Sequence, residues 1–176
     1  MRNISRHIFL SNSERLRLDD AAYTHRENRE TNMTIESIAL WHKRARPAPT
    51  TKAFNVQLGC HLEEVVEMLE TLDMKAGQHE YDQALFYLNN LAVAFKYGEA
   101  TADIVDRRAF LDSIGDQVVT VVGVGYCAGM NVVDAVDEVN ISNWSKFDHN
   151  GEPTFDDNGK IAKPNTYRPP FLDGMF

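Results

Sequence analysis

A chain of 176 residues, 43% apolar and 25% charged, suits one compact domain with some tail. A formal charge of −8 argues against a nonspecific binder of nucleic acid or anionic membrane. It does not exclude a polyphosphate ligand, because a divalent metal and a few local Lys or Arg reverse the field at one site.

Residues 1–32 are polar and mixed in charge, as in His25-Arg26-Glu27-Asn28-Arg29-Glu30, and read as an N-terminal extension, mostly disordered or marginally helical. From Thr34 to Arg46 a short helix is expected, with Thr34 as N-cap, Ile38, Trp41 and Ala45 on one side, and Pro47 and Pro49 ending it. Lys52 to about Met74 is a long helix whose stripe, Leu58, Leu62, Val65, Leu69 and Leu72, advances by 4, 3, 4 and 3. His79 to about Tyr97 repeats that rhythm with Tyr81, Leu85, Leu88, Ala92 and Phe95, and Gly98 supplies a stop.

Asp103 to Gly129 is ambiguous. Val118 to Val124 has the composition of a strand, yet Leu111, Ile114, Val118 and Val121 keep helical spacing. Gly123-Val124-Gly125 is no phosphate loop, lacking a third Gly and a strand–turn–helix setting. Asn131 caps a last helix to about Ser145, with Val132, Val136 and Val139 facing inward. Residues 148–176 change character: Asp157-Asn158-Gly159 between short apolar runs predicts a β-hairpin, and Pro164, Pro169 and Pro170 an extended tail.

Both cysteines, Cys60 and Cys127, fall in apolar-periodic segments, which predicts buried free thiols rather than a zinc site. The start has no long apolar h-region, and no run nears the ~18 apolar residues of a span, so a cytoplasmic protein is expected.

The chemistry-bearing residues are carboxylates. Glu64 and Glu67 stand about one helical turn apart, as do Asp112 and Asp116. Carboxylates converging between two helices repel unless a cation sits among them, and oxygen-only ligands suit Mg²⁺ or Mn²⁺. The bland alternative is a solvated acidic face. Asp116 speaks against it, lying in the most apolar segment, where a lone charge is costly. A di-iron bundle needs Glu-x-x-His, whereas here the order is His61-x-x-Glu64.

At these residues the sequence resembles the all-α nucleoside triphosphate pyrophosphohydrolases of the MazG type, close to phage and phosphoribosyl-ATP pyrophosphohydrolase-like members. Glu63-Glu64-Val65-Val66-Glu67 is similar to their Glu-Glu-x-x-Glu motif, and Asp112-Ser113-Ile114-Gly115-Asp116 to their second acidic run in four of five places. Asn143-Trp144-Ser145-Lys146-Phe147 and Lys163-Pro164-Asn165-Thr166-Tyr167-Arg168-Pro169-Pro170 look like the end of the phage-like members. Two departures stand out: Ser113 occupies a ligand Glu position, and a helix is inserted between the acidic motifs.

The resemblance, which runs from about residue 34 to the C-terminus, implies an all-α antiparallel bundle over 33–147 in which Val118 to Val124 is helical and buried all round. It implies Mg²⁺ (Mn²⁺ as substitute) on Glu64, Glu67, Asp112 and Asp116, with Glu63 or Glu64 orienting the attacking water. Asn143 and Lys146 would take sugar or phosphate, and Trp41 and His42 the base, although Trp41 also suits a plain core. The implied substrate is an NTP or dNTP, cleaved to monophosphate and pyrophosphate in nucleotide-pool control. The helices cannot cover their apolar faces alone, so a homodimer or homotetramer is expected. The alternatives are a catalytically weak nucleotide-binding relative and a helical protein-interaction module.

Overall fold

The computed structural model describes residues 34–156 and 159–176. The expected N-terminal extension and the Asp157-Asn158 pair lie outside the described residues. The described residues form five helices and no paired strands: α1 (34–45), α2 (Thr51–Glu70), α3 (Gln78–Tyr97), α4 (Arg107–Cys127) and α5 (Val132–Trp144). Thr34 is already helical, so the cap of α1 also falls outside them.

α2 and α3 form an antiparallel hairpin. Thr50 caps α2 by accepting the Ala53 amide at 3.1 Å. The helix ends at Glu70, short of Met74, because Thr71 turns its hydroxyl back onto the Met68 carbonyl at 2.7 Å. Gly77 and Gly98 bracket α3 in left-handed conformation, φ 75° and 80°, a region a side chain would strain. The Tyr81 hydroxyl donates to the Leu69 carbonyl at 2.8 Å and pins the turn. Further along, Gly59 lets the backbones approach so closely that a Cβ there would lie 2.7 Å from the Ala92 carbonyl. Ala92 and Phe95 are buried as the spacing of α3 predicts. On α2 the buried residues are Asn55, Val56, Gly59 and Val66, and the predicted leucine stripe lies only partly covered, with Leu72 exposed.

The ambiguous segment is helical. Asp106 caps α4 by accepting the Arg108 and Ala109 amides at 2.9 and 3.0 Å. Its expected burial is not found: no residue of α4 is buried. Leu111 (69% exposed), Val119 (71%) and Tyr126 (80%) face outward, because α2 meets this helix through side chains on one side, Phe54 on Phe110 and His61 on Gln117, and α3 does not pack on it. Nor is Asp116 buried, which removes the argument from a costly lone charge. Cys127 is exposed and Cys60 only partly covered, so the expectation of two buried thiols fails as well.

α4 and α5 meet at a 119° bend, where Gly125 sits so near Val132 that a Cβ would fall 2.1 Å from its methyl carbon. Asn131 caps α5 as expected, accepting the Asp134 amide. Of the predicted inner face of α5, Val132 is half-buried against Gly125, but Val136 and Val139 are exposed, while Asn140 and Ser142 are buried. Polar recognition of α1 causes this. Asn140 and the Trp144 indole both donate to the Ser37 hydroxyl, at 2.9 and 3.0 Å, and the Trp41 indole donates to the Asn143 carbonyl at 2.8 Å. Trp41, Ala45 and Phe147 form the buried cluster at this junction, with Trp144 and Ile161 against it.

Among the described residues the C-terminal segment does not show the strands of the expected β-hairpin. Two isolated antiparallel bridges, Phe147 to Pro153 and Phe155 to Ile161, hold it without forming strands. Arg46, at the end of α1, grips this turn by donating to the Gly159 carbonyl and lying over the Phe155 ring. The tail is fastened along α5: the Ser142 hydroxyl donates to the Arg168 carbonyl at 2.8 Å, and the Arg168 amide donates to Ser145 at 2.8 Å. Among the described residues no single helix is long and apolar enough to cross a membrane.

Candidate polyphosphate site

The acidic run of α2 is split by its partners. Glu63 turns toward α3 and pairs with Lys96, and with Lys160 of the C-terminal turn at 3.0 Å. Partial burial alone would raise its carboxyl pKa, but hydrogen bonds from Lys96 and Lys160 outweigh it and hold the carboxyl below its ordinary value. Glu64 and Glu67 are exposed. Glu64 has no hydrogen bond or ion pair among the described residues, yet lies within electrostatic range of Lys146 and Lys160.

Lys146 follows the end of α5 and donates to the Asn143 side-chain oxygen at 2.7 Å. It is partly buried, which lowers its pKa, and the charges of Lys163 and Lys160 push it the same way. Lys163 lies 4.8 Å above the Tyr167 ring. The Tyr167 hydroxyl pairs with Ser142 at 3.4 Å; that bond, with Lys163 and Lys146 nearby, lowers the phenol pKa. Lys146 and Lys163 thus flank the Ser142–Tyr167 contact, and Lys160 reaches Glu63, the neighbour of Glu64 on α2.

The second acidic pair is elsewhere. His61 Nε2 meets Gln117 Oε1 at 2.6 Å, a separation of 56 residues that the Phe54–Phe110 ring contact repeats seven residues earlier. Equal separations mean α2 and α4 run in the same direction, His61 facing Gln117. From those facing positions Glu64 turns about 60° to one side, whereas Asp116 turns about 100° and reaches the opposite side of the pair. Asp112, one turn before Asp116, follows it. Among the described residues no group of three or more His, Cys, Asp or Glu is placed to hold a metal ion. The donor set has the oxygen chemistry of a Mg²⁺ site, but one chain does not gather it.

The remaining predicted residues divide. Trp41 is 8% exposed and packs edge-on to Phe147, a core position that leaves no face for a base. His42 packs edge-on to Trp41; burial, then the Arg46 charge, lowers its pKa. Asn143 stands with Lys146, as the sequence suggested. Lys96, Lys160, Lys163 and Tyr167 were not singled out. Lys96 lies in the last turn of α3, where a cation also suits the helix dipole, and nothing in the spacing ties the C-terminal lysines to α2.

No family model matches the chain, and no curated protein or solved structure matches it either.

Proposed function

We propose that the protein is a Mg²⁺-dependent nucleoside triphosphate pyrophosphohydrolase, cleaving an NTP or dNTP to the monophosphate and pyrophosphate in nucleotide-pool control. The observation that supports this reading is that Lys160, from the far end of the chain, reaches the first acidic motif and pairs with Glu63 at 3.0 Å, next to Glu64, which has no partner of its own among the described residues. A polyphosphate requires that pairing: cations for its oxygens and a carboxylate near the scissile phosphorus.

In the reaction, water oxygen bonds to the α-phosphorus and the α–β anhydride bond breaks, its electron pair leaving with pyrophosphate. A carboxylate of α2 orients the water and takes its proton. Glu64 is the stronger candidate, because two lysines already occupy Glu63. Lys146 and Asn143 hold phosphate or sugar oxygens. Mg²⁺, when bound, would be held by Glu64, Glu67, Asp112 and Asp116, and would neutralise charge and polarise the phosphorus.

Those four carboxylates flank opposite sides of the α2/α4 pair, and α4 carries an uncovered apolar face. Both features favour a homodimer or homotetramer in which α4 of a second copy supplies the Asp112 and Asp116 positions. A second reading, a catalytically weak nucleotide-binding or protein-interaction module, is favoured by Ser113 and by the dispersal of the acids within one chain.

One assay separates them: a panel of NTPs and dNTPs with Mg²⁺, read as pyrophosphate. Release that is lost in Glu64→Gln and in Asp116→Asn supports hydrolysis. Saturable nucleotide binding without release supports the weak module, and neither signal leaves an interaction module.

A further inference from the structure

The lysines around Glu63 and Glu64 are unevenly matched. Lys96 and Lys160 share a single carboxylate, Glu63. Lys146 has only the neutral Asn143 amide oxygen and Lys163 only the Tyr167 phenol ring, and neither forms an ion pair among the described residues. The chain as a whole is strongly acidic, at −8, so carboxylates to neutralise these lysines were abundant. Lys96 and Lys160 meet on Glu63, the neighbour of Glu64, and Lys146 and Lys163 flank the Ser142–Tyr167 contact; these four lysines against two glutamates leave the cluster net positive by two charges.

The lysines are also fixed in place. Lys160 is held by Glu63 and by the grip of Arg46 on the neighbouring Gly159 carbonyl. Lys163 is bounded by the Ala162 amide, which donates to Thr154 at 2.9 Å, and by the Tyr167 ring. Tyr167 is tied to Ser142 of α5, three residues before Ser145, which receives the Arg168 amide. Holding like charges together costs Coulomb energy, which an anion of several oxygens removes.

From this geometry we propose that Lys146, Lys160 and Lys163 form a polyphosphate subsite, in which the C-terminal turn supplies two of the three cations that hold the triphosphate of a nucleotide. The proposal rests on the nucleotide reading for its ligand, but not on turnover. Lys146 approaches from α5, and Lys160 and Lys163 from the segment that Arg46 and Ser142 fasten. The C-terminal segment is therefore part of the binding site and not a passive tail.

Isothermal titration of the full chain with inorganic tripolyphosphate in EDTA tests this without metal or hydrolysis. Saturable binding is expected, weakened at least tenfold in Lys146→Gln/Lys163→Gln and unchanged in Lys75→Gln, whose side chain pairs with Asp73 in solvent. Circular dichroism melts of each variant establish that the fold is retained; Lys163→Gln alone, at an exposed position, gives the same weakening to a lesser degree. Absence of tripolyphosphate binding by the unaltered chain, or equal binding by the folded variants, overturns the proposal. Binding as expected in a protein that releases no pyrophosphate from any NTP sustains the subsite and overturns the hydrolytic reading alone.

Discussion

The α2/α3 hairpin and α4 are of nearly equal helical length, 20 residues each against 21, and of similar apolar content, yet they end in opposite circumstances. The hairpin closes on itself through Gly59, Val66, Ala92 and Phe95. α4 has helical spacing, a side-chain N-cap and an apolar face, but no buried residue. Helical periodicity therefore fixes the shape of a segment without saying which molecule covers it. In the hairpin the cover is intrachain; for α4 a second copy is the proposed cover, and the Asp112 and Asp116 pair travels with it.

Truncations at matched positions sharpen this contrast, and the largest effect belongs to the hairpin. Phe95→Ala empties a buried site and should lower unfolding free energy by about 3–5 kcal/mol, measured by urea denaturation. Gly59→Ala presses a methyl group onto the Ala92 carbonyl and should cost about 1–3 kcal/mol. On α4, Val119→Ala in dilute protein should change stability by less than about 0.5 kcal/mol. By contrast, Ile114→Asp/Val118→Asp should shift the mass in light scattering from an oligomer to a monomer while leaving the helix content of the chain unchanged. An unaltered chain that is monomeric at micromolar concentration would break the comparison.

The smallest effect concerns Glu63. Its folded-state pKa lies below the ordinary carboxylate value, so its contribution to stability is present above the unfolded pKa of about 4.3. That contribution is lost as pH falls through the lower folded value. Glu63→Gln should therefore flatten the acid limb of a thermal-melt series below about pH 4 and leave neutral pH little changed beyond the loss of the Lys96 and Lys160 contacts.

What the sequence made legible follows from local physics. The stops at Pro47 and Gly98, the Asn131 cap and the Tyr81-to-Phe95 rhythm are each set within a few residues, and they appear where expected. Valine spacing mispredicts burial on α5 because Asn140 and Ser142 are drawn inward by partners, Ser37 and Arg168, that lie far off in the chain. The burial expected of α4 fails because composition does not distinguish a face covered by its own chain from one left open. The Asn143–Lys146 contact was legible at helical spacing, whereas Lys160 at Glu63 joins residues 97 apart through a turn held by Arg46.

The carboxylates on opposite sides of one α2/α4 pair are proposed to act together across two copies. Mixing Glu64→Gln with Asp116→Asn protein and measuring pyrophosphate release from the preferred NTP tests this directly. Each variant alone should be inactive, and the mixture should regain activity, because a mixed dimer holds one site with an intact Glu64 from one copy and an intact Asp116 from the other. No recovery in mixed dimers, with the unaltered protein active, would place both carboxylates in a single chain and contradict the account.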